Sequence, residues 1–269
     1  MTDRVDRPGE ETGLVRTFVI SDAHGHPALI EHALEHGGFE PGLDRFVYAG
    51  DLLDRGPDAG GCIALVEQYA TEVLIGNHDL AALFGFFIFP QNADSSGYKG
   101  FLRQKVLAPQ SANAWKMAAC VDSVLITHAG LSVEYGRFFR GDCGCDPVRL
   151  ADHLNEEFRC LVQQESWPGD WEDHHLLGEH GPFWFRPWPL SHLLPLTDCV
   201  QVAGHTPPLT YIEIPGFHMI DPGVAAGMED PRHFRYAVIE GGKVRVEEGT
   251  GASAGTAVGS EEPAPAVRD

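Results

Sequence analysis

Five short apolar runs in this chain each stop at a cluster of polar, ligand-type residues, and that repetition constrains the fold more than any other feature. LVRTFVI (14–20) runs into SDAHGH, with Asp22 and His24, and RFVYA (45–49) runs into GDLLDRG, with Asp51, Asp54 and Arg55. EVLI (72–75) leads to GNHD, with Asn77, His78 and Asp79; SVLIT (123–127) leads to His128; VQVAG (200–204) leads to His205. Short runs of β-branched and aromatic residues read as buried strands. In α/β sheets, ligands bind beyond the carboxyl ends of the strands. Five polar strand ends are therefore expected to converge on one cleft. Taken alone, Asp51, Asp54 and Arg55 would read as a solvated turn with a local ion pair; the repetition along the chain reverses that reading.

Between the runs lie helical patterns. PALIEHALEH (27–36) has Pro27 in its first turn and Gly37-Gly38 as its stop. DAGGCIALVEQYA (58–70) is a weaker helix, and DLAALFGFF (79–87) starts another. Further strands are expected at 209–214, 217–220, 234–240 and 243–248. The early part thus reads as α/β and the late part as strand-rich and antiparallel. An α/β fold in which two packed sheets form a sandwich flanked by helices accommodates both. The middle, roughly 85–120 and 135–195, carries little strand pattern. There, 147–165 reads as an amphipathic helix and 167–190, rich in Trp, His and Pro, as an irregular loop. Helical and loop insertions of this kind are expected to form the groove wall. Residues 1–13 read as a flexible arm, 14–248 as a single domain and 249–269 as a disordered tail of small and polar residues.

Charge narrows the function classes. There are 39 Asp and Glu against 19 Lys and Arg, a formal net charge of −20. That argues against nucleic-acid binding through the phosphate backbone, which needs basic surface, and favours solubility and attraction for cations. No apolar run approaches the ~20 residues that span a membrane. The segment MTDRVDRPGEETG is too polar for a signal peptide, so the expected location is cytoplasmic. Among six cysteines there is no Cys-x-x-Cys. Cys143-Gly-Cys145 could be a redox or metal pair, but reads better as two reduced loop thiols.

The candidate ligands Asp22, His24, Asp51, Asn77, His128 and His205 comprise three His, two Asp and one Asn. Such a set, free of cysteine, suits first-row divalent metals better than Ca²⁺. Six ligands exceed a simple four-coordinate zinc and suit two ions sharing a bridging carboxylate. Mn²⁺ is the favoured ion, with Fe or Zn as the other choices.

In this order, DAHG, GDLLDRG, GNHD, HAG and GHT resemble the motifs of the calcineurin-like metallophosphoesterases. The arginine of GDLLDRG is similar to the branch that includes bacterial serine/threonine phosphatases and symmetrical dinucleoside-tetraphosphate hydrolases. The resemblance implies that Asp22 and His24 bind a first metal, that Asp51 bridges, and that Asn77, His128 and His205 complete a second. It implies that His78 is the general acid, oriented by Asp54, and that Arg55 grips the substrate phosphate beside Asn77. Trp184-Phe185-Arg186 fits a W-x-R context in the bacterial members, which implies a second phosphate-binding arginine, Arg186. The implied reaction is attack of a metal-bridging hydroxide on a phosphate monoester. Arginines would neutralise the phosphoryl oxygens and His78 would protonate the leaving alkoxide.

Some positions stay outside that set. Asp79 departs from the family's usual glutamate and reads mainly as a charge at a helix N-terminus. Asp221 in IDPG reads as a supporting or turn residue. His174-His175 beside Asp173 reads as a loop face rather than a third metal site, and Trp115, Trp167, Trp171 and Trp188 as packing or groove wall. The expected substrate is phosphoserine or phosphothreonine in proteins. The alternative is a dinucleoside polyphosphate: GNHDL resembles those hydrolases more, although they often carry a small residue where Asp54 stands. A non-catalytic binding module is the third reading.

Overall fold

The computed structural model describes residues 14–249 except 110–113, 140–145, 165–173, 208–213, 225–226, 228–229 and 231. The expected arm, most of the tail, most of the strand at 209–214, Cys143, Cys145, Trp167, Trp171 and Asp173 lie outside the described residues.

The chain opens with β1 (Thr17–Ile20), α1 (Pro27–Gly37), β2 (Arg45–Ala49), α2 (Ala59–Tyr69), β3 (Glu72–Leu74) and α3 (Asn77–Phe84). In α1 the proline lies in the first turn, Leu29, Ile30, Ala33 and Leu34 form the buried stripe, and Gly38 ends the helix in a left-handed conformation (φ 62°). A short 3₁₀ turn (Ser95–Tyr98) precedes α4 (Lys99–Leu107). Then come β4 (Ala118–Val121), β5 (Val124–Thr127), α5 (Val133–Phe139), α6 (Pro147–Gln163), β6 (Val200–Ala203), β7 (Phe217–Met219), β8 (Arg235–Glu240) and β9 (Lys243–Glu248). The Asp146 carboxylate caps α6 by accepting from the amides of Val148 and Arg149.

Two sheets form, β3-β2-β1-β8-β9 and β4-β5-β6-β7. Side-chain alternation along the strands divides the core. Val19, Val47, Ala49 and Leu74 of the first sheet meet Ala119, Val121, Ile126 and Val202 of the second. Their strand neighbours Phe18, Ile20, Phe46 and Tyr48 turn outward beneath the helices, against Leu29, Ile30 and Val66. Both faces of β1 and β2 are therefore buried, which is why these runs read as continuously apolar.

The antiparallel reading of the late strands is half corrected. β8 runs antiparallel to β1 and β9, but β6 is parallel to both β5 and β7. Thirteen residues separate β6 from β7 in the sequence. β4, antiparallel to β5, begins at the end of a stretch read as carrying little strand pattern. Its sequence AACV, buried except for the half-buried Cys120, shows no alternation of polar and apolar residues. The Asn155 side chain of α6 helps hold β4, accepting from the amides of Met117 and Ala118 and donating to the Ala118 carbonyl. α3 begins at Asn77, two residues earlier than expected, so Asn77 and His78 stand in its first turn.

Candidate active site

The parallel strands β1, β2 and β3 of one sheet, and β5, β6 and β7 of the other, bring their carboxyl ends to one edge of the sandwich. Two contacts tie the sheets together there. The His205 amide donates to Asp22 Oδ2 at 3.0 Å, and His128 Nδ1 lies 3.0 Å from the Ala49 carbonyl. All six sequence-derived ligand candidates are buried, none more than 5% exposed. Among the described residues, two clusters have ligand atoms mutually within 4.8 Å: Asp22, Asp51 and His128, and His24, Asp51 and His78. Asp51 belongs to both.

The backbone is bent to make this cleft. Asp22, His24, Asp51, Asp54, Arg55 and His205 all have φ between 44° and 70°. Among the described non-glycine residues, the others in the left-handed region are Asp122 and Ser123, in the β4–β5 turn. Left-handed backbone costs a non-glycine residue on the order of 1–3 kcal/mol, and its concentration at strand ends is a mark of a functional site. Two glycines permit the close approach. A Cβ at Gly76 would lie 2.1 Å from Asp51 Oδ1, and one at Gly204 would lie 2.0 Å from Asp22 Oδ2.

The buried Asp79 does more than charge a helix terminus. Its Oδ2 accepts from the amides of Gly76 at 3.0 Å and Asp51 at 2.9 Å, and its Oδ1 from those of Leu52 and Leu53 at 3.1 and 3.2 Å. It caps α3 and stitches the end of β2 to the end of β3. Asp51 in turn accepts the His78 amide at 2.9 Å.

Asp54, His78 and Arg55 form a chain. Asp54 Oδ2 lies 2.6 Å from His78 Nδ1. With Nδ1–H donated to the carboxylate, Nε2 keeps a lone pair, which accepts from Arg55 Nη2 at 3.0 Å. Arg55 Nη1 lies 2.5 Å from His24 Nε2, and Arg55 Nε is buried without a partner. Arg186 donates to the His205 carbonyl at 2.8 Å, and Trp184 stands edge-on to the His205 ring, 6.1 Å between centroids. The W-x-R segment therefore joins the site. Asp221 is buried and accepts the Gly223 amide at 2.7 Å, a turn contact. His174 and His175 stack on each other 4.7 Å apart, with His175 Nε2 3.2 Å from Glu157. Trp115 is buried and Trp188 is 55% exposed.

A sequence model described as calcineurin-like phosphoesterase matches residues 15–228. The chain belongs to that family. A serine/threonine-protein phosphatase 1 of Salmonella typhimurium is 39% identical over 66 residues, which are 24% of this chain and 31% of that protein. Less than a third of that relative's length is thus matched. A symmetrical bis(5'-nucleosyl)-tetraphosphatase of Coxiella burnetii is 25% identical over 78% of this chain and 85% of its own. Among solved structures, a cold-active protein-tyrosine phosphatase of a psychrophilic Shewanella superposes with a TM-score of 0.60 at 16% identity, over 88% of this chain and 81% of its own. That likeness confirms the two-sheet fold.

The donor set of this chain suits divalent cations. His24 Nδ1 lies 2.8 Å from the Leu53 carbonyl and His128 Nδ1 3.0 Å from that of Ala49. A carbonyl accepts only N–H, so both rings turn Nε2 lone pairs into the cleft, the arrangement usual for metal-binding histidines. His128 Nε2 then faces Asn77 Oδ1 at 2.9 Å, and His205 Nε2 is buried with no partner. Burial pushes the Asp22 and Asp51 carboxyls up, in both cases against the pull of a nearby histidine. Burial holds His24, His128 and His205 below the usual imidazole range, aided at His24 by Arg55 and at His205 by Arg186. Neutral imidazoles beside desolvated carboxyls are a site short of positive charge. Burial also raises Asp221, with Asp22 adding to it.

Sequence reasoning missed two contributors. The Asn92 amide donates to Asp54 Oδ1 at 3.0 Å, and Ser95 Oγ donates to the same oxygen. Both come from an insertion, in a polar run QNADSS with no spacing that sets it apart.

Proposed function

We propose that this chain is a two-cation phosphomonoesterase acting on alkyl phosphates, with phosphoserine or phosphothreonine of proteins as the substrate class. The Asp54–His78 pair carries the reading. A serine alkoxide is a poor leaving group and needs a proton, whereas a nucleotide phosphate leaving from a polyphosphate is stable near neutral pH and needs one far less. Once Arg55 turns from His78 Nε2 to the substrate phosphate, that nitrogen is open to carry a proton, and with Nδ1–H held by the buried Asp54 the ring is oriented to deliver it. Asp22 and His24 would hold one cation, Asn77, His128 and His205 the other, and Asp51 both. Bound cations would supply activation of water and neutralisation of the phosphoryl charge. Arg55 and Arg186 bind the phosphoryl oxygens, as planar guanidinium forks can. Arg55 Nε, buried and unpartnered, is a donor free for that use. Asn77, in the first turn of α3, adds a side-chain contact to the phosphate. His78 protonates the departing oxygen while Asp54 holds its ring.

The Coxiella relative, whose match covers most of this chain, supports the second reading, a dinucleoside polyphosphate substrate. Side-by-side rates on a phosphoserine peptide, a dinucleoside tetraphosphate and an aryl phosphate, each with Mn²⁺, separate the two. The first reading expects the highest kcat/KM on the peptide. A preference for the tetraphosphate overturns it, and turnover of none of the three favours a binding module.

A further inference from the structure

The loop that bears Asp54 is gripped from two sides. On one side Asp79 takes the amides of residues 51–53. On the other, the turn before α4 meets Asp54 and Gly56. The Ser95 hydroxyl and the Asn92 amide both donate to Asp54 Oδ1, the oxygen not facing His78, and Asn92 Nδ2 donates to the Gly56 carbonyl at 2.8 Å. The Ser95 amide closes the turn on the Asn92 carbonyl at 3.2 Å. Ser95 is 2% exposed and Asp54 is fully buried, so no water replaces a lost donor cheaply.

We propose that Ser95 is a positioning residue: with the Asn92 amide it anchors Asp54 Oδ1, so that Oδ2 is held on His78 Nδ1 in the orientation needed for proton delivery. This rests on the reading of His78 as the acid. The geometry favours it over simple packing. A carboxylate with one oxygen on a histidine can rotate about its Cβ–Cγ bond and present either oxygen at a range of angles. Two donors converging on Oδ1, from one turn, remove that rotation. Both oxygens then have their donors and the carboxylate stays an acceptor toward His78. Ser95 touches neither candidate ligands nor the arginines among its described hydrogen bonds, so its effect runs through Asp54.

The test uses the full chain with Mn²⁺ and the variants Ser95→Ala, Ser95→Thr, Asp54→Asn and His78→Asn. Rates are read on an alkyl phosphate and on nitrophenyl phosphate, whose leaving group hardly needs a proton. Metal content and melting temperature are measured in parallel, and the His78 Nδ1 proton is followed by NMR on protein loaded with diamagnetic Mg²⁺ in place of Mn²⁺. Ser95→Ala should lose roughly tenfold on the alkyl phosphate, a fraction of the ~10²–10⁴-fold supplied by general acid catalysis, and far less on the aryl one. Metal content should hold, the Nδ1 proton resonance should move, and Ser95→Thr should restore both rate and resonance. Equal loss on the two substrates, or wild-type rates with an unmoved resonance, overturns the proposal. If His78→Asn itself loses both substrates equally, the acid reading fails. The anchoring of Asp54 is then decided by the resonance alone: moved in Ser95→Ala and restored in Ser95→Thr upholds it, and unmoved overturns it.

Discussion

Asp51 concentrates the chemistry of the site in one side chain. It lies within reach of the ligand atoms of Asp22 and His128 on one side and of His24 and His78 on the other. A side chain serving two cations would do so through its negative charge, and an amide carries none. Asp51→Asn is therefore expected to lose both cations and activity together, since no other residue is assigned to both cations. Elemental analysis after gel filtration checks this; two ions retained per chain would remove Asp51 from the bridging role. At this scale the sequence was legible where a residue type announces its chemistry. Asp54, His78 and the six ligand candidates stood at strand ends, and the fold brings them together. Asp79 was legible only as a charge, because its four amide donors come from two loops that the sequence does not juxtapose. Ser95 and Asn92 could not be read at all, since a serine and a backbone amide carry no chemical signature.

Helices set the ends of the strands in place, and α2 offers a measurable case. Its buried Cys62 packs among residues under the first sheet, and burial pushes the thiol from the ordinary value of 9.0 up to about 12. A folded pKa raised above the unfolded one means that the native state keeps a proton the unfolded chain gives up. The stabilising contribution is thus complete below about pH 9 and is lost as pH rises toward 12, at about 1.4 kcal/mol per pH unit. Urea midpoints measured from pH 8 to pH 11 should fall more steeply for the wild type than for Cys62→Ala, which lacks the thiol. Parallel slopes would show that Cys62 ionises without unfolding the helix. Among the elements, α1 and α6 were legible with nearly their observed bounds because proline starts, a glycine stop and 3–4 spacing are local signals. α4, α5 and β4 were missed. They are short, and β4 owes its place to Asn155 of α6, which reaches it from 37 residues away.

The whole molecule is a sandwich whose inner layer must be tight for the cleft to keep its spacing. His128 stands just past the end of β5, two positions after Ile126, and Ile126 is fully buried between the sheets. Ile126→Ala should destabilise the protein by about 2–5 kcal/mol. Val246→Ala, on the edge strand β9 and only partly buried, should cost clearly less. Chemical denaturation of both variants decides; equal costs would mean that the inner layer does not carry the sandwich.

What the sequence by itself determined was the residue content of the strands and of their ends: apolar runs that cannot face water, each stopped by ligand-type side chains, in an order that resembles one enzyme family. These are short-range properties, encoded within a few residues. Tertiary structure alone decided which strand lies beside which and in what direction. It made β6 and β7 parallel, closed His205 onto Asp22 across 183 positions, and docked the turn before α4 on Asp54. Such contacts depend on where distant backbones pass, and that path follows from packing two sheets face to face rather than from any local pattern.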